Sequence, residues 1–295
     1  MPRRILYITA AVLALFALLF SGFAYLSTHT LHKDIPLTNE RELKVDLDAG
    51  FGDVTIAKGN PSMVVVADIT TEKENDLSDF FDYESREGIG YLSINTNAEV
   101  KSHSRHHSLN LDGFHSNSWD MKFSDAIPIS FELGLGLGEG NLDLTGLNVK
   151  DLNLSAGASS VKLRFDKPNK NVIENMTIES GLSKFEGEGL CNANFNRMKF
   201  EGGVGSYTLD FSGELKKEVD VKIEVGLGSL IVYIPEDVGA KIIYEKNWIA
   251  HFDLDKDFTE KEENNYYSSN YRTADGKMNI RIEAGLGAVK VRRVR

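Results

Sequence analysis

The chain has 295 residues, 41% of them hydrophobic, enough for one large or two ordinary domains with a sizeable core. Its net charge of −11 repels nucleic acid and anionic lipid, which argues against general DNA or RNA binding and for a soluble, non-associating surface. The lone cysteine, Cys191, rules out an intramolecular disulfide and a cysteine-based zinc site. Its neighbours Leu190, Asn192 and Ala193 would not lower a thiol pKa, so it reads as a small buried apolar residue.

The first element is apolar. Arg3 and Arg4 precede an uncharged run over residues 5–26, with Tyr7 and Tyr25 near its ends. As a helix this run is about 33 Å long, which spans a bilayer core. The arginines place the N-terminus in the cytoplasm and everything after about residue 28 outside. A cleaved signal peptide is the alternative, with Ser21-Gly22-Phe23-Ala24 as a passable cleavage site; the length of the run favours an uncleaved anchor. Either way the rest of the chain is exported. No cysteine stands directly after the run, so a lipoprotein is excluded.

After a linker at 29–42, alternating apolar residues run into a glycine pair in "LKVDLDAGFGDVTI" at 43–56. Close copies follow at 131–144, 152–165, 176–187, 198–211, 221–234 and 278–291, seven in all. Their anchoring glycines are Gly50, Gly136, Gly157, Gly181, Gly203, Gly226 and Gly285. From Gly136 to Gly226 the steps are 21, 24, 22 and 23 residues, and the two outer steps carry insertions. Such a period means stacked repeats. Within a copy the period is two, so each is a strand with every second side chain inward. Like residues recur in columns: Leu154, Ile178, Phe200, Ile223 and Ile282 before the glycine; Ala158, Leu182, Val204, Leu227 and Leu286 just after it; Val161, Phe185, Tyr207, Leu230 and Val289 four after it. This predicts an all-β, single-stranded β-solenoid (a β-helix of about 23 residues per rung) behind the N-terminal transmembrane helix. Rungs about 4.8 Å apart make five regular ones a stack of about 24 Å.

The glycine pairs invite comparison with a phosphate-binding loop. Seven copies argue for geometry, since one phosphate site needs one loop. A nucleotide loop also opens a helix, whose N-terminal N–H groups hold the phosphate. Here each loop opens another strand, such as "VKLRF" or "YTLDF". The glycines therefore supply positive φ and close backbone approach at a corner.

Three segments fall outside the repeat. Residues 72–88 are acidic, with Phe80, Phe81 and Tyr83, and read as a long turn between the strands "MVVVADIT" and "YLSINT" or as a partner surface. A polar insertion at about 96–127 contains "KSHSRHHSLNLDGFHS" at 101–116, with His103, His106, His107 and His115. It reads as a polar loop rather than a metal site, because nothing scaffolds the ligands. Residues 251–277 cluster Tyr266, Tyr267 and Tyr271, an interface, a carbohydrate platform or a cap over the last rung. Carboxylate pairs such as Asp46 with Asp48, or Asp253 with Asp255, lie on strand-like stretches. They lack the partners of a catalytic constellation, although parallel β-helices do host polysaccharide-cleaving enzymes. No catalytic, cofactor-binding or metal-ligating residue is assigned.

The blocks "NLDLTGLNVKDLNLSAGAS", "LDFSGELKKEVDVKIEVGLGSLIVYIPEDVGAKI" and "YYSSNYRTADGKMNIRIEAGLGAVKV" resemble the toast-rack domain, the extracytoplasmic β-solenoid of LiaF-like and PspC-like bacterial envelope proteins. The likeness covers about 125–295. Residues 43–95 resemble the same solenoid class, also seen in adhesin-type domains, less specifically. It implies a role in envelope-stress signalling through a membrane histidine kinase or another membrane partner, and no functional residues carry over. LiaF-like proteins have several hydrophobic spans where this chain has one.

The reading is a single-pass protein of the cytoplasmic (inner) membrane. Residues 1–28 form tail and anchor, 29–42 a linker, and 43–295 an extracytoplasmic solenoid. It is expected to be a non-enzymatic binding or sensing module in the envelope stress response. An adhesin-like protein binding glycan or wall polymer comes second, and a polysaccharide-active β-helix enzyme third. Expected partners are the membrane, through the anchor, and an envelope or signalling protein, with no nucleic acid and no cofactor.

Overall fold

The computed structural model describes residues 29–71, 81–95, 117–245 and 250–295. The anchor run and the histidines of 101–116 lie outside these residues, as do 72–80 of the acidic segment. Among the described residues no helix is long and apolar enough to cross a membrane.

The described residues are all-β apart from short turns, with the strands joined in one continuous sheet. The strands are β1 (His29–Pro36), β2 (Glu42–Phe51), β3 (Asp53–Lys58), β4 (Met63–Thr71), β5 (Phe81–Arg86), β6 (Ile89–Asn95) and β7 (Ser118–Phe123). Then come the long strands β8 (Ile129–Asp143), β9 (Val149–Arg164), β10 (Ile173–Glu188), β11 (Phe195–Asp210) and β12 (Glu218–Pro235). The short β13 (Gly239–Glu245), β14 (His251–Leu254), β15 (Phe258–Glu262) and β16 (Asn265–Ser268) precede the last strand, β17 (Lys277–Val294).

The seven sequence copies stack in parallel and in register, β2/β3 on β8, then β9, β10, β11, β12 and β17. The expected columns hold: Ile178 pairs with Leu154 and Phe200, Phe200 with Ile223, and Ile223 with Ile282. All are buried. Each long strand has two arms that meet at the glycine corner, with the core between them. Phe200 of one arm touches Tyr207 of the other at 5.3 Å between ring centroids, edge to face. Phe185 lies 5.3 Å from Phe200 on the next rung. Each fully buried Leu, Ile or Phe in such a column contributes about 1.5–3 kcal/mol. Connecting turns close the third side, burying Leu144, Phe165, Leu190, Cys191 and Phe211.

Asparagines tie the turns together. Buried Asn169 donates from its amide to the carbonyls of Val149 (2.6 Å) and Ala193 (3.3 Å), and its Oδ1 accepts from Val149 N–H at 2.9 Å. Asn192 repeats the device one turn on, donating to Phe165 and accepting from Glu214 N–H. These amides replace the ladder bonds that the backbone cannot make where it turns.

The insertions build the two ends. At the N-terminal end β6 and β7 lie parallel on β2 and β3 as an outer rung. β4 pairs antiparallel with β7, and β5 with β6. At the other end β13 and β14 form an outer rung on β17, and the β15–β16 hairpin adds to β13. Residues 251–277 thus cap the stack, one of the roles expected for them. β2/β3 and β17 are each second from an end.

Three boundaries differ from the sequence reading. Residues 29–36, read as linker, form β1, paired antiparallel with β4 through alternating contacts such as Leu31 with Ile69. The polar insertion gives way to strand before residue 127, because Trp119, Met121 and Phe123 alternate inward and are buried in β7. The segment read as a turn to residue 88 contains β5, with Phe81 buried.

Candidate functional site

The corners decide what the surface offers. In β12, Val219, Val221, Ile223 and Val225 face inward, and then Leu230, Val232 and Ile234 do. Alternation slips between Val225 and Leu230, where Gly226-Leu227-Gly228-Ser229 turns the chain. The two glycines divide the work expected of one. A Cβ at Gly226 would stand 2.8 Å from the Gly203 carbonyl oxygen, so this position needs close approach. Gly228 has φ 139°, so it is the second glycine that supplies the positive φ.

The slip turns the residue after the anchoring glycine outward. Alternation alone would place that column inside; instead Leu137, Leu182, Val204, Leu227 and Leu286 are 38–65% exposed. They are aligned across the rungs, with Ala158 between Leu137 and Leu182 in sequence order. Among the described residues the other exposed large apolar side chains are Tyr91 and Val172, so exposure of this kind is concentrated on one ridge.

Beside the ridge, the glycine column is the floor of a groove of about 1090 Å³ running along the stack. Its wall is acidic. Two residues before Gly181, Gly203, Gly226 and Gly285, Glu179, Glu201, Glu224 and Glu283 stand in register, and Glu245 of the outer rung continues the row; Gly134 and Ser155 hold the same position before Gly136 and Gly157. Asp48 adds a carboxylate at the other end, and among the described residues no lysine or arginine lines the groove. Carboxylates on neighbouring rungs repel, and cations one alternation further up the strand offset this. Lys199 pairs with Glu201, Lys222 with Glu224 at 2.7 Å and Glu283 at 3.8 Å, and Arg281 with Glu245 at 3.0 Å. Lys222 holds the Glu224 carboxyl below its ordinary range, and Glu201 raises the Lys199 ammonium. On the other side of the ridge, Glu139, Ser160, Lys184, Ser206 and Ser229 form a weakly charged column.

The remaining singled-out residues are structural. Asp253 pairs with Arg292, and Asp255 accepts from the N–H groups of Asp257 (3.1 Å) and Arg293 (3.3 Å). Tyr266 packs on Phe252 at 5.7 Å, and Tyr267 meets Tyr271 edge to face at 5.1 Å. Tyr267 also carries Lys241 and Lys261 against its ring at 5.5 and 5.1 Å. Cys191 is buried in a 3-10 turn, and desolvation pushes its thiol pKa up to about 12. Among the described residues no group of three or more histidines, cysteines or carboxylates is placed to hold a metal.

Residues 26–186, more than half of the chain, match the N-terminal domain of toast_rack (DUF2154). The chain belongs to the toast-rack family. This toast-rack chain is also similar to three crystal structures. A "putative cell adhesion protein" from Clostridium sporogenes ATCC 15579 shares 21% identity over 91% of this chain and 100% of the other, at a TM-score of 0.43. A "putative adhesin" from Bacteroides fragilis NCTC 9343 shares 12% over 90% and 98%, at 0.38. A "putative lipid binding protein" from Parabacteroides distasonis ATCC 8503 shares 12% over 90% and 97%, at 0.31. No curated protein matches the toast-rack chain.

Proposed function

We propose that this toast-rack protein is a non-enzymatic binding module, held by its N-terminal run at the outer face of the cytoplasmic membrane. Its solenoid engages a protein partner in the envelope stress response. The observation that carries the binding role is the surface of the stack. An apolar ridge and an acidic groove run side by side across the rungs, where a rigid repeat presents one long face. The apolar run at 5–26, with Arg3 and Arg4 before it, supports the membrane placement. The toast-rack resemblance supports the signalling role.

The test is photo-crosslinking in intact cells through a C-terminally tagged protein, with and without envelope stress, followed by mass spectrometry. Capture of a histidine kinase or another membrane regulator, with a yield that changes under stress, is the expected result. Capture of wall polymer or surface proteins alone, unchanged by stress, overturns the signalling role in favour of an adhesin-like one. Release of reducing ends from wall glycan by the purified protein overturns the non-enzymatic reading.

A further inference from the structure

The exposed ridge is the feature the fold does not need. Leu182, Leu227 and Leu286 are about half exposed or more, while the columns on either side of the corner are buried. Contiguous apolar exposure of this kind marks an interaction site. We infer that the ridge and the acidic groove beside it bind a cationic amphipathic α-helix of a partner protein, laid along the stack. This rests on the binding-module reading and names the partner's chemistry.

Spacing selects the helix. Ridge residues recur once per rung, about every 4.8 Å. An apolar stripe on a helix recurs about every 5.4 Å, whereas one face of an extended strand recurs about every 6.6–6.8 Å. From Leu137 to Leu286 the ridge crosses six rungs, about 24 Å, the length of roughly 16 helical residues.

Charge selects the sign. Glu179, Glu201, Glu224 and Glu283 flank the ridge on one side, and among the described residues no lysine or arginine lines the groove between. Lys199 and Lys222, which pair with Glu201 and Glu224, lie further up the strand, away from the ridge. A helix with apolar residues on the ridge would set Lys or Arg from its flank over the carboxylates. A second copy of this chain does not fit. The column on the ridge's other flank offers Lys184 as its cation among Glu139, Ser160, Ser206 and Ser229, one positive charge against the row of carboxylates. An anionic membrane surface is repelled by the same carboxylates.

The test uses the full-length protein in nanodiscs of zwitterionic lipid, with empty nanodiscs as the blank. The probes are a fluorescent Lys/Leu peptide of about 16 residues with helical apolar periodicity, and a Glu/Leu peptide of the same pattern. The Lys/Leu peptide should bind at least about tenfold more tightly than the Glu/Leu one, and more weakly at high salt. Leu182→Asp with Leu227→Asp, and separately Glu201→Gln with Glu224→Gln, should each weaken it about tenfold or more. Melting temperature checks the fold, and Leu227→Ser replaces the double aspartate variant if that variant does not fold. Equal binding of both peptides, binding unchanged by the ridge variants, no binding, or a ridge-dependent dimer in sedimentation would each overturn the inference. Crosslinking the ridge variant in cells separates the two proposals. A membrane partner captured equally by parent and variant sinks the ridge and leaves the module. A peptide site that behaves as expected, with no membrane partner captured from cells, sinks the signalling role and leaves the ridge.

Discussion

Glu40 shows how much one residue can hold at the start of the stack. It is buried beside β2, and its carboxylate accepts from Thr38 N–H at 2.8 Å and from the Tyr83 hydroxyl at 3.0 Å. Desolvation raises its pKa, but the hydrogen bonds outweigh it and bring the value down to about 2 from an ordinary 4.5. A lowered folded pKa stabilises above the unfolded value, and that contribution disappears as pH falls through the folded one. Glu40→Gln should therefore be less stable than the parent at neutral pH, with the gap closing between pH 4.5 and 2. Denaturant melts across that range check it. A gap that stays constant with pH would mean that Glu40 acts through packing. The corner glycines make a second expectation. At Gly228 the φ of 139° and the Gly205 carbonyl both oppose a side chain, so Gly228→Ala should cost about 1–3 kcal/mol. Ser229→Ala, on the same corner but with an ordinary backbone, should lie within about 0.5 kcal/mol of the parent in the same melts.

At the scale of the element, the turns deserve as much weight as the strands. Asn169→Ala removes a buried amide and, with it, a hydrogen bond to the N–H and another to the carbonyl of Val149, so it should destabilise by about 1–3 kcal/mol. Asn153→Ala, whose amide donates to Glu132 in an exposed pair, should change stability by less than about 0.5 kcal/mol. Chemical denaturation of the two variants makes the comparison. This device was not legible in the sequence, because Asn169, Asn192 and Asn194 look like ordinary turn residues until the rungs are stacked. The strands were legible, since seven copies of one alternating pattern fix the register of Gly50 through Gly285. The ridge was half legible. Its column of Leu and Val was visible, but the side it faces depends on a slip in alternation at the corner, which a period-two reading passes over. Strand β1 was missed because "HTLHKDIP" is mostly polar and becomes a strand only by pairing with β4 at the edge.

The whole molecule departs from a simple stack at its ends. In an ideal solenoid each rung contacts its neighbours and stability accumulates nearly additively. Here the last strand lies between β12 and the outer rung of β13 and β14, and 41 residues separate β12 from it. A chain ending at Gly276 loses both faces of that strand's pairing. It should form soluble oligomers or aggregate instead of showing a modest loss of stability. Size-exclusion chromatography against the full chain tests this, and a monomeric, cooperatively melting truncation would contradict it.

That placement also sets an order of events during synthesis. Rungs β8 to β12 can assemble as they emerge, but β13 and β14 cannot join the stack until β17 has been made. The outer rung is therefore closed by β17, like a bolt drawn late, and a ribosome that stalls before this strand leaves a molecule with an open seam. A protease that recognises this open edge separates chains that carry β17 from chains that lack it, without any dedicated degradation signal.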